Sequence, residues 1–162
     1  MTFEEFAGHR LPGLLRYAVL LTGDPEQARD LVQDALVRAF VKWRRVRAAD
    51  DPYAYVRTIV TNEFLSRRRR KTLRTVPLRF DARDGPAAPA PPARDDDLWE
   101  RLAALPRQQR AVLVLRYYEG LPDAEIADVL GCRPGTVRGY AARALATLRV
   151  QLTDTTPERS HP

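Results

Sequence analysis

Between Asp123 and Leu148 the chain reads DAEIADVLGCRPGTVRGYAARALATL, and its polar residues sit where they can contact nucleic acid. Ala124 to Leu130 reads as a short helix that stops at Gly131, and a three-residue turn follows. Pro134 can then open a second helix. Val137, Ala141, Leu145 and Leu148 recur on the inward side of that second helix. In a helix-turn-helix the second helix lies in the major groove, and its early residues reach bases and phosphates. The contact set is Arg133, Thr136, Arg138, Gly139, Tyr140 and Arg143, with Val137 beside them although it also falls on the inward stripe. A guanidinium donates in a planar fork that fits phosphate oxygens or the O6/N7 edge of guanine. The competing reading is a helical hairpin whose arginines are merely solvated.

Bond-making chemistry finds no support. Cys132 is the only cysteine, so neither an internal disulfide nor a cysteine-held zinc or iron–sulfur centre is available. His9 and His161 stand near opposite ends of the chain. No nucleophile–histidine arrangement occurs. The four-residue repeat of Gly131, Gly135 and Gly139 lies in the turn and second helix, not in a phosphate loop. The sequence therefore predicts no catalytic residue, no metal and no cofactor.

Charge points the same way as the motif. The 162 residues carry net charge +6, and 25 of the 27 basic residues are arginine. Residues 41–75 hold net +8 and residues 98–152 net +3, whereas 1–40 and 76–97 are each −2. Two basic blocks read as two nucleic-acid surfaces rather than as a generally basic protein. They are separated by Ala82 to Arg94, ARDGPAAPAPPAR, whose four prolines suit an extended linker. The expected organisation is a helical domain over 1–76, a linker over 77–96, a second helical domain over 97–152 and a disordered tail over 153–162. The apolar stretch Leu14 to Leu21 is interrupted by Arg16 and is too short to span a membrane. The N-terminus lacks the basic start of a secretory signal. We expect a soluble, cytoplasmic protein with no membrane association.

The elements that position these residues are all helical. Thr2 and Glu5 predict a capping box for a first helix, with a kink or break at Pro12 and a C-terminus at Gly23. Asp24-Pro25 opens a second helix whose inward stripe is Ala28, Leu31, Val32, Ala35, Ala39, Phe40 and Trp43. Its other face offers Asp30, Gln33, Asp34 and Arg38. Arg44 to Asp51 reads as a polar loop. Asp51-Pro52 opens a third helix ending in Arg67-Arg68-Arg69-Arg70-Lys71. In the second half, Asp97 reads as an N-cap with Glu100 as partner, Leu105-Pro106 as a break, and Gly120 as a helix end.

Three stretches in this order resemble the extracytoplasmic-function sigma factors of bacterial RNA polymerase, and look closest to the short actinobacterial, SigE-like type. LLRYAVLLTGDPEQARDLVQDALVRAFVKW is similar to the region 2 core and its polymerase-binding helix. PYAYVRTIVTNEFLSRRRRK is similar to the promoter-melting helix. LPRQQRAVLVLRYYEGLPDAEIADVLGCRPGTVRGYAARALATLR is similar to region 4. The resemblance implies an all-α protein of two small domains that binds core RNA polymerase and reads promoter DNA. It implies that Asp30, Gln33, Asp34 and Arg38 meet the β′ clamp coiled coil, and that the helices around Leu98 to Tyr118 meet the β flap. It assigns the −35 element to the helix-turn-helix. For the −10 element the candidates are Lys42, Trp43, Arg44, Arg45, Tyr53, Tyr55, Arg57, Thr61 and Asn62, with Arg67, Arg68 and the rest of the run to Lys71 on phosphates. Melted bases need rings to stack on and cations along the backbone. Trp43 and Tyr55 suit core packing as well as base contact. An anti-sigma partner is a further implication.

Pro122 and Arg133 stand where relatives often carry Ser or Thr caps, which leaves Asp123 as a possible cap and deprives the recognition helix of an ordinary one. Gly139 and Tyr140 replace more polar or basic residues, so no −35 sequence transfers. The short stretch after region 4 argues against an appended regulatory domain. A free-standing, dimeric helix-turn-helix regulator would explain the second half but neither the basic block at 41–75 nor the acidic helical face.

Overall fold

The computed structural model describes residues 1–71 and 96–154, with side chains described up to Arg67 in the first segment and from Leu98 to Arg149 in the second. All regular structure in these residues is helical. The chain divides into two compact units, Met1–Ala93 and Arg94–Pro162. The expected linker lies outside the described residues except for Asp96, which already belongs to a helix. The expected tail yields its first two residues to the last helix, and the remainder also lies outside the described residues.

The first unit contains α1 (Phe3–Thr22), α2 (Pro25–Val41), α3 (Trp43–Ala48) and α4 (Pro52–Lys71). The capping box forms: Thr2 Oγ1 accepts from the Glu5 backbone at 3.2 Å, and Glu5 Oε2 accepts from the Thr2 backbone at 3.3 Å. Gly23 ends α1 at φ 71°, a left-handed conformation that glycine adopts without steric cost. The break expected at Pro12 does not occur, because α1 continues through it. Phe6 on one side of the proline and Leu14, Leu15, Tyr17, Ala18, Val19 and Leu21 on the other are all buried in the packing of the first unit. That shared packing holds both halves on one axis, and the proline ring faces solvent. A proline inside a helix costs about 3 kcal/mol, less than burying two large apolar side chains returns.

α2 starts at Asp24, whose Oδ1 accepts from the Glu26 backbone at 2.9 Å. α4 starts beside Asp51, whose Oδ1 accepts from the Ala54 backbone at 3.2 Å. Between them the expected polar loop is replaced by α3. Val46 is fully buried in this turn and fixes it, while Arg44, Arg45 and Arg47 stay outside. One branched apolar residue among three arginines carries too little periodicity to read as a helix.

The second unit contains α5 (Asp96–Ala104), α6 (Arg107–Leu113), a π-turn over Val114–Tyr118, α7 (Asp123–Leu130) and α8 (Pro134–Asp154). Helix α5 thus begins one residue before the cap expected at Asp97. Leu105, Leu113, Ala144 and Leu148 form a core that Leu102 and Leu145 cover. Arg110 is buried beneath the end of α5, and its Nη2 donates to the carbonyls of Ala103 at 2.5 Å and Leu105 at 3.2 Å. Those carbonyls have no partner within the helix, so the guanidinium acts as a C-terminal cap. Burial, and secondarily the charge of Arg107, pushes its pKa below the ordinary arginine value.

Candidate nucleic-acid interface

The helix-turn-helix is built by α7, a tight turn and α8. Gly131 adopts φ 67° at the end of α7. The Thr136 and Val137 amides then bond the Arg133 carbonyl at 2.9 and 3.2 Å, starting α8. Ile126 and Ala127 of α7 pack with Val137, Ala141 and Ala144 of α8, all buried. The opposite side of α8 exposes Thr136, Arg138 and Arg143, with Arg133 exposed just before it. Gly139 and Tyr140 are half-buried on the flank, and the Arg143 Cζ lies 5.6 Å from the Tyr140 ring centroid. One predicted contact residue is misplaced. Val137 is 0% exposed, so it belongs to the core that orients the helix and not to its contact surface.

Asp123 does not cap α7 through its own carboxylate. The N-cap is Pro122, without a side-chain bond. Instead the Asp123 carboxylate accepts from Arg116 Nη2, and this bond is the main reason the Arg116 pKa is raised. The π-turn sets the geometry: the Glu119 amide reaches back to the Val114 carbonyl at 3.1 Å, and the Leu121 amide to that of Leu115 at 3.0 Å. The extra residue per turn leaves Tyr117 and Tyr118 exposed.

In the first unit Lys42, Arg44 and Arg45 are exposed on and beside α3, and Asn62 is exposed on α4. Tyr53 and Tyr55 are half-buried at the start of α4. Two other −10 candidates are buried. Thr61 is 0% exposed, and its Oγ1 lies 2.6 Å from the Tyr17 hydroxyl and 2.8 Å from the Arg57 carbonyl. A threonine has one proton to give, and the carbonyl can only accept, so Tyr17 donates to Thr61 and Thr61 donates to Arg57. Arg57 is itself buried, with Cζ 5.6 Å from the Tyr53 ring centroid; Arg10 of α1 approaches the same ring at 5.1 Å. Residues 53, 57 and 61 lie four apart on one face of α4, and that face turns inward. The side chains of Arg68 to Lys71 lie outside the described residues. Trp43 packs edge-on to Phe3, with centroids 5.7 Å apart, and tilted against Phe6 at 5.5 Å, so of its two open roles the structure displays packing.

The outward face of α2 presents Asp30, Gln33, Asp34 and Arg38, all exposed. Two of these also fasten α2 to α4. Asp34 accepts from Arg67 at 2.8 Å, and Arg38 pairs at 2.6 Å with Glu63, which is 3% exposed. Glu63 thus ties α4 to α2, a link whose only signal in the sequence is a carboxylate next to Phe64 on an inward turn. Phe40, expected on the buried stripe, is 59% exposed. With Phe3, Ala7, Leu11, Leu36 and Val37 it lines an apolar groove between α1 and α2 that reaches Gln33.

Known families account for both units. Residues 6–74 match the family described as Sigma-70 region 2, and residues 95–148 match Sigma-70, region 4. The chain is 34% identical to the RNA polymerase sigma-E factor of Streptomyces coelicolor, across 94% of this chain and 86% of that protein. It is 37% identical to the ECF RNA polymerase sigma factor SigL of Mycobacterium tuberculosis, across 82% and 80%. Among solved structures it is similar to the sigma factor RpoE of Bartonella quintana, crystallised with the anti-sigma factor NepR. That likeness has a TM-score of 0.71 and 26% identity, and covers 93% of this chain and 96% of that one. Among the described residues no helix is long and apolar enough to cross a membrane. The chain belongs to the extracytoplasmic-function RNA polymerase sigma factors, which direct promoter-specific transcription initiation.

Proposed function

We propose that the first unit holds core polymerase and the −10 element while the second holds the −35 element. The first module is residues 1–76 and the second runs from Asp96 to Asp154, with the linker between them and the tail after. The observation that carries this reading is the two-sidedness of α8. Its inward residues Val137, Ala141, Ala144 and Leu148 are buried, and Arg138 and Arg143 stand outside on the same helix. A rod anchored on one side presents charges at fixed spacing, which is what groove recognition needs. Arg133 and Thr136 position the helix on phosphate, and Arg138 and Arg143 reach base edges or phosphate.

In the first unit Lys42, Arg44, Arg45 and Arg67 run along the nontemplate backbone, and Tyr53, Tyr55 and Asn62 meet melted bases. Arg68 and its neighbours continue the cationic track. Thr61 and Arg57 serve this surface from beneath by fixing α4. The polymerase contact is the Asp30, Gln33, Asp34 and Arg38 face toward the β′ clamp coiled coil, and the adjoining apolar groove supports a protein partner there. The second unit's α5 and α6 meet the β flap. An anti-sigma protein, as bound by the Bartonella relative, would compete for these surfaces. The protein supplies binding and strand separation, works in the cytoplasm, and leaves RNA synthesis to polymerase. Purified core polymerase is incubated with the protein and a promoter fragment, and transcripts are mapped. Arg138→Ala with Arg143→Ala abolishes −35-dependent initiation but leaves polymerase capture intact; equal loss of both activities overturns the assignment.

A further inference from the structure

We propose that Gly139 and Tyr140 form a positioning pair that sets the reach of Arg143 toward −35 DNA. The inference rests on the reading that Arg143 contacts that DNA. Glycine is, after proline, the least favourable residue inside a helix. Gly139 lies well inside α8, and its backbone does not require glycine: the positive-φ glycines are Gly23, Gly120 and Gly131. What glycine provides here is empty space. A Cβ at position 139 would stand 3.2 Å from Arg143 Nη2, tighter than side chains ordinarily tolerate. A methyl there would therefore press the guanidinium outward by a few tenths of an ångström. Its Cζ also lies 5.6 Å from the ring centroid of Tyr140, which is half-buried. Helical side chains lean toward the N-terminus, and residues three and four back flank the stem. Gly139 and Tyr140 are those two residues for Arg143. Together they fold the side chain toward the end of α8 that carries Thr136 and Arg138, and they remove rotamer freedom before DNA arrives.

Gly135 provides an internal contrast. A Cβ there meets Arg138 Nη2 only at 3.7 Å, an ordinary van der Waals contact, so Gly135 does not position Arg138.

The test uses holoenzyme reconstituted from core polymerase and the full chain, with a promoter duplex recovered by mapping a start site for the wild-type protein. Gly139→Ala weakens binding of that duplex roughly three- to tenfold, the worth of one ordered side chain. The same substitution raises the unfolding temperature of the free protein, since alanine favours helix. The opposed signs separate positioning from structural damage. Tyr140→Leu, which removes the ring, weakens binding as Gly139→Ala does, whereas Gly135→Ala, which leaves Arg138 at an ordinary contact distance, binds the duplex as wild type. Gly139→Ala adds no further loss when Arg143 is already alanine.

An undiminished Gly139→Ala loss in the Arg143→Ala background overturns the pair and makes Gly139 a site of close DNA approach. Wild-type binding by Gly139→Ala overturns it as well, provided Arg143→Ala weakens binding. If Arg143→Ala itself binds as wild type, the underlying DNA-contact reading fails and takes the inference with it.

Discussion

Thr61→Val keeps the shape of the threonine and removes its hydroxyl from the centre of the first unit. Two hydrogen bonds go with it: the one from Tyr17 at 2.6 Å and the one to the Arg57 carbonyl at 2.8 Å. Tyr17 is 0% exposed, so water cannot replace the acceptor that its hydroxyl loses. Removing one partner of a buried pair costs about 1–3 kcal/mol. For a helical unit of this size each kcal/mol moves the midpoint by about 4–8 °C. The melting temperature of the first unit therefore drops by roughly 10 °C. Tyr17→Phe combined with Thr61→Val restores part of the loss, because two apolar groups then face each other with no donor stranded. Trp43 fluorescence follows this unit alone in a Trp99→Phe background, with thermal or urea unfolding as the assay. An unchanged midpoint in Thr61→Val refutes the buried network. A stable Thr61→Val that still binds polymerase but cannot open promoters refutes the assignment of Thr61 to the core and returns it to the DNA surface.

Asp34→Arg impairs capture of the β′ subunit. Because Asp34 also bonds Arg67, the control is Arg67→Ala, which breaks that ion pair and should retain capture; loss in both variants would trace the effect to α4 and not to the face. Arg110→Met removes the cap on the Ala103 and Leu105 carbonyls and destabilises the second unit by about 1–3 kcal/mol, measured by urea unfolding; no change would mean that those carbonyls find other partners. Arg138→Ala and Arg143→Ala each flatten the dependence of log Kd on log salt by about 0.9 if the side chain sits on phosphate, and leave it unchanged if it reads a base edge. Either result assigns the residue, and wild-type affinity together with wild-type slope in both variants would remove α8 from the interface.

Much of this architecture is legible in the sequence because the relevant signals are local. Thr2 and Glu5, Asp24 and Pro25, and Gly131 are caps or turns whose chemistry acts within four residues, and each appears where its type predicts. The helix-turn-helix shows itself through the spacing of Ile126, Ala127, Val137 and Ala141. Signals fail where a partner is distant. Thr61 and Arg57 are polar, and polarity at an inward position is intelligible only with Tyr17, 44 residues away, as the bonding partner. Glu63 likewise depends on Arg38 from another helix. Phe40 continues an apolar stripe that outruns the surface available to cover it. Val46 fixes a turn with a single side chain, and the π-turn over Val114–Tyr118 inserts an extra residue per turn within an unbroken apolar run. Local residue type is therefore legible in the sequence, whereas the direction a polar side chain faces depends on partners far along the chain.

The most direct test of the central claim is multi-round transcription by purified core polymerase on a genomic fragment library, with and without this protein. The account predicts transcripts that start at discrete promoters only when the protein is present. It also predicts that these starts disappear with Arg138→Ala plus Arg143→Ala while the variant still co-purifies with polymerase. Absence of any protein-dependent start, with polymerase active on a control template, would contradict it.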